Sequence, residues 1–281
     1  MDDTSPSTGG STDLREFLRS RRARITPERA GLPPQPGARR VPGLRREEVA
    51  LLAGVSVDYY VRLERGRNVN VSQTVLDSVA RALRLDETER GHLFDLARPA
   101  RARRRPETPQ RVRQGLHRLL DTLADSPALV IGHRMDVLAA NRLARALYTD
   151  FDALPHRERN LVRYLFLDPA ARELYLDWPS AARGTVAGLR LYAGRHPNDL
   201  RLEELVGELS LCDPDFRRWW ADHDVLRRSH GTKRYHHPVV GDLTLDYEAL
   251  TPTDDPDQLL GLYTAEPNSP SARALATLAR S

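Results

Sequence analysis

The chain of 281 residues contains very little sulfur and almost no lysine. Cys212 is its only cysteine, so no disulfide can form within the chain. Lys233 is its only lysine, and the other Lys and Arg positions are all arginine, a bias that GC-rich coding explains. No apolar run is long enough to span a bilayer, and residues 1–12 are acidic and small rather than typical of a signal peptide. These absences predict a cytoplasmic protein without a membrane segment.

The common motifs of enzymes and metal sites are also missing. The sequence has no CxxC, no HExxH, no GxSxG and no glycine-rich phosphate loop followed by Lys and Ser/Thr. His236 and His237 are adjacent in a predicted strand and therefore point to opposite faces, so they cannot share a metal face. We therefore expect no catalytic residues, no metal site and no cofactor.

Charge is divided unequally along the chain. The net charge is only +4, but residues 13–113 contain 23 arginines and 13 acidic residues, whereas the remainder from Gln114 contains 20 basic and 24 acidic residues. A positive field confined to one part of a protein attracts polyanions to that part. Double-stranded DNA is the predicted partner, which would associate the protein with the nucleoid.

Two short helices joined by a tight turn are predicted within residues 43–83. Ser56 directly precedes an apolar-periodic run and is a good N-cap, and Gly54 stands where the preceding helix must end. In the second helix, residues 57–65, the spacing of Tyr60 and Leu63 places both on a face that can be buried. This arrangement is a helix-turn-helix.

The other face of that helix carries side chains suited to reading bases. Arg62 can donate to both major-groove acceptors of a guanine, and Asp58 can accept from a cytosine amine. Val57 and Tyr59, in the first turn, can contact a thymine methyl or a phosphate. Phosphate contacts, which position the protein, are predicted for neighbouring residues of the motif: Arg45, Arg46, Ser56, Arg65, Arg67, Asn68 and Asn70.

The rest of the N-terminal domain is predicted to span residues 13–97, after a disordered tail at 1–12. Asp13 caps its first helix, from which Arg22 or Arg21 is expected to pair with Glu64 of the reading helix. A proline-rich loop before residue 43 carries Arg39 and Arg40, and it is either a solvated loop or an arm that touches DNA.

Two further helices are predicted to complete the domain. The first runs over residues 72–83 and buries Val75, Val79, Ala80 and Leu83. The second opens with a capping box that begins at Asp86. A basic, proline-containing linker is predicted at residues 98–109.

Residues 110–281 are predicted to form a second domain that mixes strands and helices. Short strands are expected at 128–132 and 137–141, and three alternating strands at 233–239, 242–250 and 258–265. These strands can form one antiparallel sheet, whose buried face is predicted to contain Val239, Leu243, Leu245, Tyr247, Leu260, Leu262 and Tyr263. Prolines divide the segment between them, 160–223, into about four helices.

The strings LLAGVS, YYVRLERGR and SQTVLDSVARALRLD resemble the Cro and lambda-repressor (XRE) class of DNA-binding domains. The longer string PGLRREEVALLAGVSVDYYVRLERGR resembles MmyB-like regulators, and the likeness extends over residues 14–278. The resemblance implies a mainly α protein with a five-helix lambda-repressor-like domain. It also implies a C-terminal α+β domain of PAS-like type with a helical insert, which senses a small apolar, fatty-acid-like ligand.

Residues that could serve such a ligand site are of two kinds. Partners for a ligand carboxylate are His133, Asn141, Arg163 and Arg190. Aromatic residues that could line a hollow are Trp178, Tyr192, Trp219 and Tyr247, although such residues are more often ordinary core. The alternative is a C-terminal domain that only dimerises or binds a protein partner. A homodimer is expected in either case, because one recognition helix contacts only a few base pairs.

Overall fold

The computed structural model describes residues 8–33, 39, 41, 43–67, 71–98, 109–227 and 229–280, with side chains described from Thr12 onward. Within these residues, no helix has the length and apolar character needed to cross a membrane. The chain divides into two compact units. Unit 1 comprises Met1–Arg104, Arg190–Leu200 and Trp220–Leu226, and unit 2 comprises Arg105–Leu189, Arg201–Trp219 and Arg227–Ser281. These units differ from the predicted domains, because two segments of the predicted C-terminal domain cluster with the N-terminal helices.

The N-terminal part of unit 1 consists of helices with well-defined ends. They are α1 (Thr8–Arg24), α2 (Arg46–Ala53), α3 (Val57–Glu64), α4 (Gln73–Ala82) and α5 (Glu87–Ala97). The predicted start of the first helix is wrong, since α1 begins at Thr8 and Asp13 lies inside it rather than capping it. The capping box at Asp86 is confirmed, with its carboxylate accepting from the Glu89 amide at 2.8 Å.

The turn between α2 and α3 has the predicted chemistry. Gly54 adopts φ 67°, a left-handed conformation that favours glycine. Ser56 then caps α3, because its side chain accepts from the Tyr59 amide at 3.1 Å. Tyr60 and Leu63 are buried against the other helices, as their spacing predicts. In α4, Leu76 is buried together with Val79 and Ala80, whereas Val75 is only half-buried.

Unit 2 is built on a sheet that joins its two ends. Its strands, among the described residues, are β1 (Ala128–Ile131), β2 (Val137–Ala140), β3 (His230–His237), β4 (Gly241–Leu250) and β5 (Leu259–Thr264), in the order β2-β1-β5-β4-β3 with antiparallel pairing throughout. The predicted α+β architecture is confirmed. Val239 was expected on the buried face, but it lies in the turn after β3 and is 68% exposed.

The remaining helices begin, in most cases, near a proline or a good cap. They are α6 (Gln114–Thr122), α7 (Arg142–Leu147), α8 (Leu161–Leu167), α9 (Pro169–Leu174), α10 (Trp178–Arg195), α11 (Leu200–Cys212), α12 (Pro214–Ala221) and α13 (Pro270–Leu278). The described part of 160–223 therefore holds five helices rather than about four. Proline is tolerated in the first helical turn, where its missing N–H is not needed, so each proline marks a helix start as well as a break.

Candidate nucleic-acid interface and ligand site

The outward face of α3 presents the side chains predicted to read bases. Val57, Asp58 and Arg62 are exposed, and Tyr59 is half-buried at the edge of this face. The opposite face is anchored in the core by Tyr60. This exposed face therefore belongs to a helix that is anchored in the core, and its side chains are accessible to solvent.

Glu64, at the end of α3, is a buried carboxylate held by two arginines. Its side chain is 1% exposed; Arg22 of α1 donates to Oε1 at 3.0 Å, and Arg46 of α2 donates to Oε2 at 3.1 Å. Arg22 is thus the partner of Glu64, whereas Arg21 pairs with Glu89. The carboxylate links the recognition helix to both helices that precede it.

A basic pocket of about 310 Å³ opens beside this ion pair. Its lining combines the Glu64 carboxylate with arginines from α1, from α2 and from the turn that follows α3: Arg15, Arg19, Arg46, Arg65 and Arg67. Five guanidinium groups around one carboxylate leave an excess of positive charge, which suits the phosphates of a DNA backbone. We did not predict Arg15 and Arg19, although their four-residue spacing puts them on one face of α1.

Other predicted DNA contacts have different surroundings. Arg39 donates to both carboxylate oxygens of Glu48, at 2.9 and 2.8 Å, and to the Gly43 carbonyl at 2.9 Å. This guanidinium therefore fastens the loop to α2 instead of extending as an arm. Arg45 is half-buried at the start of α2, and the Ser56 side chain is used as the cap of α3. Arg40, Asn68 and Asn70 lie outside the described residues.

The second face of α1 meets the later segments of unit 1 in a cluster of buried charges. Arg190 donates to Asp13 at 3.3 Å, and its guanidinium lies 3.7 Å from the centroid of the Trp220 ring. His223 is 2.8 Å from Glu16, and Arg21 donates to the His223 carbonyl at 2.7 Å. Asp13, Glu16 and His223 bring three potential metal-ligand atoms within 4.8 Å of one another. The adjacent Arg190 and Arg21 already supply positive charge, which disfavours a cation there.

His92 of α5 lies in the same interior. It is 2% exposed and packs edge-on against Phe17, with ring centroids 5.0 Å apart. Burial lowers the pKa of His92 to about 3, and the positive charges of Arg190, Arg21 and Arg195, with His223 nearby, act in the same direction. Burial also lowers the pKa of His223 to about 4, with Arg190 contributing. Both imidazoles are therefore neutral in the folded protein at neutral pH.

Acidification is expected to destabilise unit 1. Because both folded-state pKa values lie below the ordinary value of 6.5, the stability that the histidines contribute is complete above pH 6.5 and is lost as the pH falls toward 4. For His92 alone we expect the free energy of unfolding to fall by about 2 kcal/mol between pH 7 and pH 5. Urea unfolding followed by circular dichroism at constant ionic strength measures this change.

A matched pair of variants isolates the contribution of His92 to this pH dependence. His92→Leu keeps an apolar group in the core and is expected to flatten the dependence. His117→Gln changes an exposed histidine of α6 and is expected to leave it as in the wild type. Equal pH dependence in His92→Leu and the wild type would show that His92 does not titrate on unfolding.

The interior of unit 2 contains a set of neighbouring tyrosines, here called the tyrosine cluster: Tyr148, Tyr164, Tyr175, Tyr235 and Tyr263. The hydroxyls of Tyr148 and Tyr235 are 2.7 Å apart. Burial raises the pKa of both side chains well above the usual range, so each hydroxyl keeps its proton and can donate. The cluster thus places several protonated hydroxyls, which can donate hydrogen bonds, in an otherwise apolar interior.

Lys233 of β3 lies at the border of this cluster. Its Nζ donates to the Tyr263 hydroxyl at 3.4 Å and lies 4.8 Å from the centroid of the Tyr247 ring. Lys233, Tyr175 and Tyr247 also line a pocket of about 280 Å³. A strongly hydrated ammonium group held against aromatic rings is a suitable partner for a carboxylate. The sequence signal for this site was the uniqueness of the lysine, which we attributed to base composition.

The four residues predicted to bind a ligand carboxylate all have partners within the fold. Asn141 caps α7 and uses all four of its hydrogen bonds within the fold, since Oδ1 accepts from Ala128 and Ala144 and Nδ2 donates to two carbonyls. Arg163 is paired with Glu208. His133 lies 3.5 Å from Asp257. Arg190 belongs to unit 1, where Asp13 and the Trp220 carbonyl hold it.

The predicted aromatic residues separate into three environments. Trp178 and Trp219 are buried with Phe166 in the core of unit 2, with ring centroids 5.5 to 6.0 Å apart. Tyr192 lies in unit 1, where its hydroxyl donates to Asp199 at 2.7 Å. Of the eight residues predicted for the ligand site, Tyr247 lines the pocket beside Lys233.

Comparison with known protein families assigns both parts of the chain. Residues 112–278, more than half of the sequence, match the MmyB-like transcription regulator ligand binding domain, and residues 13–93 match a helix-turn-helix domain. No curated protein matches the sequence significantly. The chain therefore belongs to the MmyB-like transcription regulators, and it combines a helix-turn-helix DNA-binding domain with a ligand-binding domain.

Proposed function

We propose that this regulator binds a specific operator as a homodimer and that a small apolar molecule with an acidic head group, such as a fatty acid, changes its affinity for that operator. The observation that carries the DNA-binding part is the exposed face of α3, with Arg62 and Asp58, next to a pocket lined by five arginines. This arrangement would combine base readout and backbone contacts on one surface. Two copies would supply the specificity that a single short helix lacks.

The ligand class follows from the chemistry of the tyrosine cluster and Lys233. The rings of Tyr175 and Tyr247 offer apolar contact area for a hydrocarbon chain. The Lys233 ammonium and the Tyr263 hydroxyl are 3.4 Å apart, so a carboxylate could bind both. A charge-assisted hydrogen bond of this kind contributes about 1.5–3 kcal/mol, which is enough to select an acid over a neutral analogue.

Purification followed by denaturation and mass spectrometry of released small molecules tests this proposal, with the native mass measured in parallel. We expect a stoichiometric apolar acid on a dimer. Lys233→Met preserves the length of the side chain but removes its charge, and we expect it to lower ligand occupancy about tenfold or more. Arg118→Met removes an exposed cation from α6 and serves as the control, with wild-type occupancy expected.

Two results would contradict parts of the proposal. If Lys233→Met retains the acid at wild-type occupancy, Lys233 is not its partner. A dimer of the wild type that releases no small molecule would favour the alternative, in which the C-terminal region dimerises or binds a protein partner. Addition of the released compound to a DNA-binding assay then shows whether it changes operator affinity.

A further inference from the structure

Two segments of the ligand-binding sequence are structurally part of the DNA-binding unit. Arg190–Leu200 and Trp220–Leu226 lie within the residues that match the ligand-binding family, yet both belong to unit 1. We call these two segments the latch. Leu191 and Val225 of the latch pack in the same hydrophobic core as α1, α3, α4 and α5.

Polar contacts fasten the latch along one side of α1 and to α5. On α1, Asp13 and Glu16 are three residues apart, as are Arg21 and Arg24, and each of the four contacts the latch. On α5, Asp95 lies 3.3 Å from Arg195. The imidazole of His92 packs so closely on Gly194 that a Cβ there would come within 2.6 Å of it, so glycine is required at this crossing.

The other side of α1 holds the DNA-binding surface. Arg22 donates to the buried Glu64 of the recognition helix and to the Leu44 carbonyl at 2.8 Å, just before α2. Arg15 and Arg19, on the same side as Arg22, line the basic pocket. Helix α1 thus contacts the latch on one side, and on the other side it contacts the recognition helix and lines the basic pocket. Any displacement of α1 would therefore move both the recognition helix and the basic pocket.

We propose that the latch controls DNA affinity through α1: when it is seated, α1 holds the recognition helix and the basic pocket in the binding arrangement, and when it loosens, affinity falls. This inference rests on the proposed DNA-binding function and adds a route by which the ligand-binding region regulates it. The ends of the latch continue directly into α10 and α12, so a change in the ligand-binding region has a covalent path to it. Regulation then requires only that the ligand prefer one latch arrangement.

The triad of Arg21, Arg24 and Asp224 offers a test that leaves the DNA-contacting residues unchanged. Asp224 contacts Arg24 directly and lies 3.8 Å from Arg21. Asp224→Arg places three positive charges together, and we expect their repulsion to detach the latch from α1. In the double variant Arg24→Asp/Asp224→Arg, one carboxylate again lies between two guanidinium groups, and the net charge equals that of the wild type. Asp222→Arg is the matched control, since it adds the same charge to the same segment at an exposed side chain.

The measurement uses full-length protein and duplexes that the wild type selects from random-sequence DNA. In fluorescence anisotropy at fixed salt, we expect Asp224→Arg to bind about tenfold more weakly, although its added positive charge alone would strengthen DNA binding. Asp222→Arg is expected to bind at least as tightly as the wild type, and the double variant to recover wild-type affinity. Hydrogen exchange of the α1 backbone amides is expected to accelerate in Asp224→Arg, but not in Asp222→Arg or in the double variant.

Different outcomes would overturn the latch proposal and the DNA-binding function on which it rests. A wild type that selects no duplex would overturn the proposed DNA-binding function. If the wild type selects duplexes but Asp224→Arg matches Asp222→Arg in affinity and in α1 protection, the latch proposal is overturned. Circular dichroism checks that Asp224→Arg is folded. If it is not, a folded double variant that fails to restore affinity overturns the proposal, and one that restores it supports the proposal.

Discussion

Replacing Glu64 by alanine is expected to lower the free energy of unfolding of unit 1 by about 3–5 kcal/mol. The carboxylate is 1% exposed, and its removal leaves the guanidinium of Arg22, itself only 13% exposed, without a charge partner. Breaking a buried ion pair on one side is costly for this reason, whereas the intact pair need not be strongly stabilising. Thermal and urea unfolding followed by circular dichroism measure the effect. For a unit of this size the melting temperature should fall by more than about 10 °C.

An exposed ion pair in the same unit provides the control for Glu64→Ala. Asp77 lies 2.8 Å from Arg90, but the two side chains are 29% and 38% exposed. Asp77→Ala is therefore expected to cost about 1 kcal/mol or less. At temperatures where Glu64→Ala is folded, its preferred DNA sequence should be that of the wild type. Similar stabilities of the two variants, or an altered base preference in Glu64→Ala, would contradict the structural role of Glu64.

Removal of the Arg62 side chain is expected to relax base preference at one position in each half-site. Arg62 is exposed on the outward face of α3 and has the planar fork that matches the two acceptors of a guanine. Loss of that contact should cost about 1–3 kcal/mol on the preferred sequence and little on duplexes that already carry another base there. Selection from random-sequence duplexes, followed by titration of single-base variants, measures the difference. Unchanged preference in Arg62→Ala would show that α3 is docked differently.

Arg67→Ala is the matched variant for Arg62→Ala, because it removes the same residue type from the basic pocket. It should weaken binding to all duplexes alike and reduce the slope of log K against log salt by about 1. A base-specific loss in Arg67→Ala would instead place this residue in a groove. Comparison of the two arginines therefore separates sequence readout from backbone positioning.

Local chemistry accounts for the features that could be predicted from the sequence. Gly54 and Ser56 define the turn before α3 because a left-handed residue and an N-cap act on their immediate neighbours. Tyr60 and Leu63 are buried because helical spacing puts them on one face. Spacing together with the family resemblance predicted Arg22 or Arg21 as the partner of Glu64, and the structure shows that it is Arg22. The strands at both ends of the second region were found by alternation, with errors where they end, as at Val239.

The ligand-site residues were predicted on a different basis, and the structure gives most of them other surroundings. Residue type alone suggested His133, Asn141, Arg163 and Arg190, but the availability of a polar group depends on what surrounds it. The side chain of Asn141 makes its hydrogen bonds within the fold, including the cap of α7. The guanidinium of Arg163 is paired with the carboxylate of Glu208, which is 45 residues away in the sequence. Conversely, the tyrosine cluster is assembled from α8, β3, β5 and the residues that directly follow α7 and α9, and no local sequence pattern shows that these rings come together.

The sequence by itself determined the helix-turn-helix, the exposed face of α3 and the α+β character of the second region, because caps, periodicity and turn residues act over a few positions. Only the tertiary structure decided that Arg15 and Arg19 line the basic pocket, that Lys233 borders the tyrosine cluster, and that the latch belongs to the unit that contains the helix-turn-helix. The bond from Arg21 to the His223 carbonyl spans 202 residues of sequence. Contacts of that range depend on burial, charge compensation and packing volume in three dimensions, and these leave no periodic signal in the chain.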